Sequence, residues 1–194
     1  IKNNFFTKSN TLSTNIINKL NFRLTNDQKR CLREIQQDIE KKKMFRLLQG
    51  DVGSGKTIIA LLTVADIINS GYQAVIMAPS EILVKQHFKY FESIFKFHNI
   101  KIKFLTSKIP LREKKKIYDG VKNNTINLLI GTHSLLNENI SFYKLGLTVI
   151  DEQHKFGVKQ RHKLQKKSSD SHILVLSATP IPRSLTFVIY GEID

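Results

Sequence analysis

The chain has 194 residues, with 31 Lys+Arg against 16 Asp+Glu, a formal net charge of +15 and 41% hydrophobic residues. This ordinary globular composition predicts a single domain with a sizeable core. No apolar run reaches the roughly 20 residues that cross a bilayer, and the one cysteine, Cys31, excludes an internal disulfide.

No stretch reads as a signal peptide, so a soluble, cytoplasmic protein with no membrane partner is expected. The charge excess favours a polyanionic partner, most simply nucleic acid. The same excess also fits compositional drift, because the cations are mostly Lys amid much Asn and Ile. The chain begins at Ile1 and stops at Asp194, and reads as a piece of something longer.

Residues 1–20 are polar and without clear periodicity, and are expected to be a linker or the tail of a preceding domain. Order is expected from Phe22. Thr25 with Gln28 forms a capping box that opens a helix to about Lys43, with Leu32, Ile35 and Ile39 as its apolar stripe. Phe45 to Leu48 reads as a strand, followed by a Gly-rich loop. A helix opens at Lys56 and ends near Ser70, with Gly71 closing it. Ala74 to Ala78 is a buried strand, Glu81 to about Phe97 an amphipathic helix, and Lys101 to Leu105 a strand. Pro110 to Asp119 is a basic helix ending near Gly120. Leu128 to Ile130, Leu147 to Ile150 and Ile173 to Leu176 are apolar strands, and Pro182 to Tyr190 is a closing helix. Strands alternating with helices predict an α/β fold with a mostly parallel central sheet covered on both faces. Ligands in such sheets sit at the carboxyl ends of the strands.

Two motifs carry the chemistry. Gly50-Asp51-Val52-Gly53-Ser54-Gly55-Lys56-Thr57 fits G-x-x-x-x-G-K-[ST], between a strand and a helix. The glycines let backbone N–H groups wrap phosphates, and the helix N-terminus adds positive field. Lys56 is suited to the β- and γ-phosphates, and the Thr57 hydroxyl to Mg²⁺. Asp151 and Glu152 follow four apolar residues at a strand end. Asp151 there suits the Mg²⁺ shell, and Glu152 suits a general base on the attacking water. His87, His98, His162 and His172 show no metal-ligand spacing and are expected on the surface. Lys114 to Lys116 is most simply a solvated helix face.

Asp151-Glu152-Gln153-His154 is a DExH-type box, and Ser177-Ala178-Thr179-Pro180 follows the next strand. With the phosphate loop, these resemble motifs I, II and III of superfamily 2 helicases, with a RecA-like P-loop fold. The wording of residues 47–57, 77–83, 131–136, 151–161 and 177–183 most closely resembles the RecG family, which remodels stalled forks and branched recombination intermediates. Its cousin, the transcription-repair coupling factor, usually has Phe at the place of Ser54 and Glu at that of Gln153. Lys155, Ser80 and Ser134 depart from the commoner Arg, Thr and Ala.

The resemblance covers residues 21–194 and implies the first RecA-like motor lobe, using ATP and Mg²⁺. It implies that Phe22 and Gln28 form an adenine-reading motif, although Gln28 reads equally well as the capping-box residue. It implies that Pro79, Ser80 and Glu81, with Thr132 and His133, contact the DNA backbone. His154, Ser177 and Thr179 would couple the γ-phosphate to the DNA face. Implied partners are branched or duplex DNA, a second RecA-like lobe that supplies an arginine finger, and an N-terminal wedge domain, in a monomeric protein. Weak nucleotide binding, very slow hydrolysis and no unwinding are expected of the lobe alone. The alternatives are a coupling-factor translocase lobe and a non-catalytic fragment that only binds nucleotide.

Overall fold

The structure is a computed structural model and describes residues 12–41, 43–152 and 171–178. Six strands form one sheet: β1 (Phe45–Gln49), β2 (Gln73–Met77), β3 (Ile102–Leu105), β4 (Leu128–Gly131), β5 (Leu145–Asp151) and β6 (His172–Ser177). Their order is β1-β6-β5-β2-β4-β3, and every pairing is parallel. β2, β4 and β6 are buried at every residue, which is why they read as near-continuous apolar runs rather than alternating ones.

Successive strand residues feed two separate cores, as the period of two requires. Ala74, Ile76, Leu128, Ile130, Val149 and Leu174 face the first core. It is closed by helices α1 (Leu12–Lys19), α2 (Asn26–Lys41), α3 (Lys56–Asn69) and α4 (Glu81–Phe95). Val75, Met77, Leu129, Ile150 and Val175 face the second core, with Ile117 and Val121 of α5 (Leu111–Lys122). Two helical layers around a parallel sheet make the expected three-layer sandwich.

Three elements differ from the expectation. Leu12–Lys19, expected within a linker or tail, form helix α1, which docks on α3 through buried Ile16. The Ser13 N–H donates to Asp66 Oδ1 at 3.1 Å, and the Gln36 amide donates to Asp66 Oδ2 at 2.8 Å. Asp66 is buried on α3, and that burial pushes its carboxyl above the ordinary range against those two hydrogen bonds. Helix α5 does not end at Gly120 but continues to Lys122. Gly120 is an interior residue that makes room: a Cβ there would lie 2.7 Å from Ile126 Cδ1. Helix α4 stops at Phe95 and passes into a 3₁₀ turn, Lys96–His98, closed by Asn99 at φ 54°.

The other helix ends follow the sequence. Thr25 N–H donates to Gln28 Oε1 and Gln28 N–H to Thr25 Oγ1, at 2.9 and 3.2 Å, completing the capping box of α2. Gly71, at φ 81°, closes α3 with Gly71 N–H on Ile68 O and Tyr72 N–H on Ile67 O.

Buried Gln73 ties the amino ends of the strands together. Its Nε2 donates to Val121 O and Ile126 O, both at 2.8 Å, and its Oε1 accepts from Lys144 N–H. Gln73→Ala leaves two buried carbonyls and an N–H without this partner. We expect it to lower unfolding stability by about 2 kcal/mol. A urea midpoint unchanged by the substitution would show that water replaces the amide at no cost.

Candidate nucleotide and metal site

The Gly-rich loop leaves β1 at Gly50, whose N–H extends the sheet ladder to Ser177 O at 3.2 Å. Gly53 and Gly55 take φ 84° and 86°, a left-handed conformation that disfavours a side chain. Gly55 is also crowded, since a Cβ there would sit 2.2 Å from Gln28 Nε2. The turn delivers Lys56 to the first position of α3, and no side chain caps that helix. An uncapped N-terminus behind a glycine loop keeps its donors for an anion. Lys56 Nζ lies 2.5 Å from Gly50 O and 2.8 Å from Asp51 O, held within the loop by its own carbonyls. Val52 stands at the exposed tip, and Thr57 is half-buried one residue into α3.

The acids reach the same edge from β5. In the strand order, β6 alone separates β1 from β5, so the loop and Asp151 are two strand spacings apart, roughly 10 Å. Glu152 leaves the strand at φ 50°, unusual for a side-chain-bearing residue. Its N–H donates to Leu176 O at 2.9 Å, and its Oε1 accepts Ala178 N–H at 3.1 Å. The acidic pair and the segment after Ser177 are thus joined directly, and Ser177 itself is buried at the end of β6.

His87 corrects the sequence reading: it is not a surface histidine. It lies on α4, 8% exposed, with Nε2 at 2.8 Å from Asp151 Oδ2. The signal was present, since the buried residues of α4 are Val84, His87, Phe91 and Phe95, one helical stripe with a polar member. His172 is likewise buried rather than on the surface, and His98 is half-buried.

The donors suit a hard divalent cation. They are oxygens, the Thr57 hydroxyl and the Asp151 carboxylate. Among the described residues, no group of three or more His, Cys, Asp or Glu could hold a metal alone. Mg²⁺ is such a hard divalent cation, and it keeps waters and shares its shell with substrate phosphates rather than sitting in a protein cage.

A cavity of about 530 Å³ opens between α2 and the loop, lined by Gln28, Cys31, Glu34, Gly50, Gly55 and Lys56 among others. Gln28 does two jobs: Oε1 completes the capping box, while Nε2 donates to Ser54 O at 3.0 Å. An amide has a second N–H and a second lone pair, so the cap and a base edge are not exclusive. Phe22, 52% exposed, is not among the cavity's lining residues. Burial pushes the Cys31 thiol up, with the charge of Arg46 opposing, and that keeps it protonated.

At the neighbouring strand ends, two hydroxyls expected to contact a backbone serve as caps. Ser80, after Pro79, caps α4 by accepting Leu83 N–H at 3.3 Å. Thr132 is buried; its Oγ1 accepts Ser134 N–H at 3.5 Å and lies 3.2 Å from Ser134 Oγ. Ser134 Oγ also contacts Leu105 O at 3.0 Å. Glu81 pairs with Lys108 Nζ at 3.1 Å and accepts from Ser107 Oγ at 3.0 Å; these bonds hold its carboxyl below the ordinary range. His133 is exposed, and so are Lys115 and Lys116 of the basic run, whereas Lys114 Nζ binds Ser107 O. The readings at Gln153, His154, Lys155, Phe156, Gly157, Gln160, Arg161, His162, Thr179 and the helix 182–190 lie outside the described residues.

The sequence profile of the DEAD/DEAH box helicases matches residues 25–188. The chain is similar to the ATP-dependent DNA helicase RecG of Aquifex aeolicus, 47% identical over 181 residues, covering 92% of this chain and 23% of that protein. Against RecG of Bacillus subtilis it is 43% identical over 187 residues, covering 96% and 27%. Among solved structures, RecG bound to a three-way DNA junction matches with a TM-score of 0.80 at 44% identity, over 93% of this chain and 24% of that one. The DUF1998 helicase MrfA shares the fold, with a TM-score of 0.71 at 18% identity, over 96% of this chain and 32% of that one. The chain spans about a quarter of the length of the curated relatives it matches.

Proposed function

The chain belongs to the DEAD/DEAH box helicases, and from that premise we propose that it is the first ATP-binding motor lobe of a RecG-like helicase. The observation that carries this is the meeting of two strand ends. The Lys56 loop after β1 and the Asp151–Glu152 pair after β5 reach one sheet edge with a single strand between them.

In this reading, Lys56 gives up the carbonyls of Gly50 and Asp51 for the β- and γ-phosphates of ATP, and the loop N–H groups hold the phosphate oxygens. Thr57 and Asp151 hold Mg²⁺, which neutralises charge on the phosphates when bound. Glu152 orients water and takes its proton. Gln28 and the cavity beside α2 receive the adenine, and Phe22, which does not line that cavity, is the aromatic available to pack on the base. Pro79, Ser80, Glu81, Thr132 and His133 form the DNA edge, with Ser80 and Thr132 shaping the loops rather than spending their hydroxyls on phosphate. His154, Ser177 and Thr179 relay the nucleotide state to that edge.

The proposed substrate is branched DNA, such as stalled forks and recombination intermediates, in repair and recombination. A second RecA-like lobe and a wedge domain are the proposed partners within a monomeric protein. Among the described residues, no helix is long and apolar enough to cross a membrane, and a cytoplasmic location is part of the proposal.

The test is titration with a fluorescent ATP analogue and Mg²⁺. Lys56→Ala removes the only cation in the loop, and we expect it to weaken binding at least about tenfold. Equal binding by wild type and Lys56→Ala would place the nucleotide elsewhere and overturn the reading.

A further inference from the structure

We propose that His87 is a positioning residue that holds the Asp151 carboxylate in the orientation in which it receives the divalent cation. The proposal rests on the reading of Asp151 as a metal ligand.

The geometry is specific. His87 Nε2 lies 2.8 Å from Asp151 Oδ2, and the two side chains are 10% and 14% exposed. A carboxylate can only accept, so the ring nitrogen facing it carries the hydrogen. Engaging Oδ2 fixes rotation about the last bond of the Asp151 side chain and assigns Oδ1 to the cation. The histidine is itself held: it sits on the buried stripe of α4, with the Phe91 ring edge-on at 6.4 Å between centroids and 77° between planes. Placing an imidazole on a core stripe costs free energy unless its polar atoms are bonded, and Asp151 provides a bond. In a site so shielded from water, one such hydrogen bond orients its partner strongly. Ligating carboxylates are characteristically held by a hydrogen bond in this way, and losing that partner typically costs 10- to 100-fold in metal affinity.

A histidine that merely satisfies itself in the core would leave the metal indifferent to its removal, and measurement separates the two roles. Mn²⁺ replaces Mg²⁺ as the probe, and its binding to the chain with a non-hydrolysable ATP analogue is followed by electron paramagnetic resonance. Nucleotide affinity is measured separately in EDTA, and folding by thermal melting. We expect His87→Leu to weaken Mn²⁺ binding about tenfold while metal-free nucleotide affinity stays at the wild-type value. His87→Gln, whose amide N–H reaches the place of Nε2, should restore the cation affinity. His87→Asn is shorter, and should behave like His87→Leu even if the leucine variant fails to fold. Wild-type Mn²⁺ affinity in both His87→Leu and His87→Asn would overturn the proposal. So would a fall in metal-free nucleotide affinity in step with the loss of Mn²⁺. If wild type shows Lys56-dependent nucleotide binding while the His87 variants change nothing, the motor-lobe reading stands and only the role of His87 fails. If wild type binds no nucleotide, both fail.

Discussion

In the longer protein that joins this lobe to its proposed second lobe, Glu152→Gln is expected to cut ATP turnover with branched DNA by roughly 10²- to 10⁴-fold, the range a positioned general base contributes. Nucleotide binding should stay at the wild-type level. Gln fits the surroundings: its amide oxygen can accept the Ala178 N–H as Glu152 Oε1 does, and the backbone bond to Leu176 O does not involve the side chain. These two bonds survive the substitution, and the basicity is lost. The residue sits at φ 50°, which for an L side chain costs roughly 1 kcal/mol, so this part of the chain holds Glu152 in place at the expense of a relaxed backbone. Strain retained beside two strand-end motifs is what a functional constraint predicts. Lys56→Ala and Glu152→Gln should therefore separate, the first losing binding and the second losing chemistry. Turnover of Glu152→Gln within about tenfold of wild type would remove Glu152 from the role of base and leave it the task of tying the acidic pair to Ala178.

The strands, the loop and the acids were legible because each rests on short-range pattern. Apolar runs such as Ala74 to Ala78 identify buried parallel strands, and Gly53 and Gly55 mark a turn needing positive φ. The capping box at Thr25 and Gln28 was visible at a spacing of three, but the second bond of Gln28, to Ser54 O, spans 26 residues and needed the fold. His87 escaped for a similar reason. Its partner is 64 residues away, although its place between Val84 and Phe91 already put it on the apolar face. Helix α1 escaped because eight residues give too few turns for a period to stand out. What stabilises it is tertiary: Ile16 in the core and Asp66 at its first turn. Gly120 misled because a glycine near a helix end usually stops it, whereas here it makes room for Ile126.

His172 should make the fold acid-sensitive, with stability falling by about 3 kcal/mol between pH 6.5 and 4. The ring opens β6 and is 5% exposed. Its Nδ1 accepts the Met44 N–H at 3.0 Å, so adding a proton there breaks that bond as well as charging a buried ring. Burial, reinforced by the positive charge of Lys43, pushes its pKa down to about 4. An unfolded histidine titrates near 6.5, so between the two values the unfolded chain binds the extra proton. Stability from this residue is therefore complete above about pH 6.5, declines as pH falls, and levels off below about 4. At 1.36 kcal/mol per pKa unit, that interval gives the figure of about 3 kcal/mol, a large share of a typical 5–15 kcal/mol total. Asp66 works in the opposite sense, because its raised carboxyl makes the folded state bind protons more readily and so favours folding as pH drops. The wild-type profile is thus a sum of opposed slopes, and a difference isolates His172. His172→Asn keeps an acceptor that can reach Met44 N–H but cannot titrate. Guanidinium unfolding from pH 7.5 to 4.5 should show the variant gaining on wild type steadily below pH 6.5. Parallel profiles would mean that the ring is protonated in the fold without penalty, and that the seam between β1 and β6 opens to water at that point.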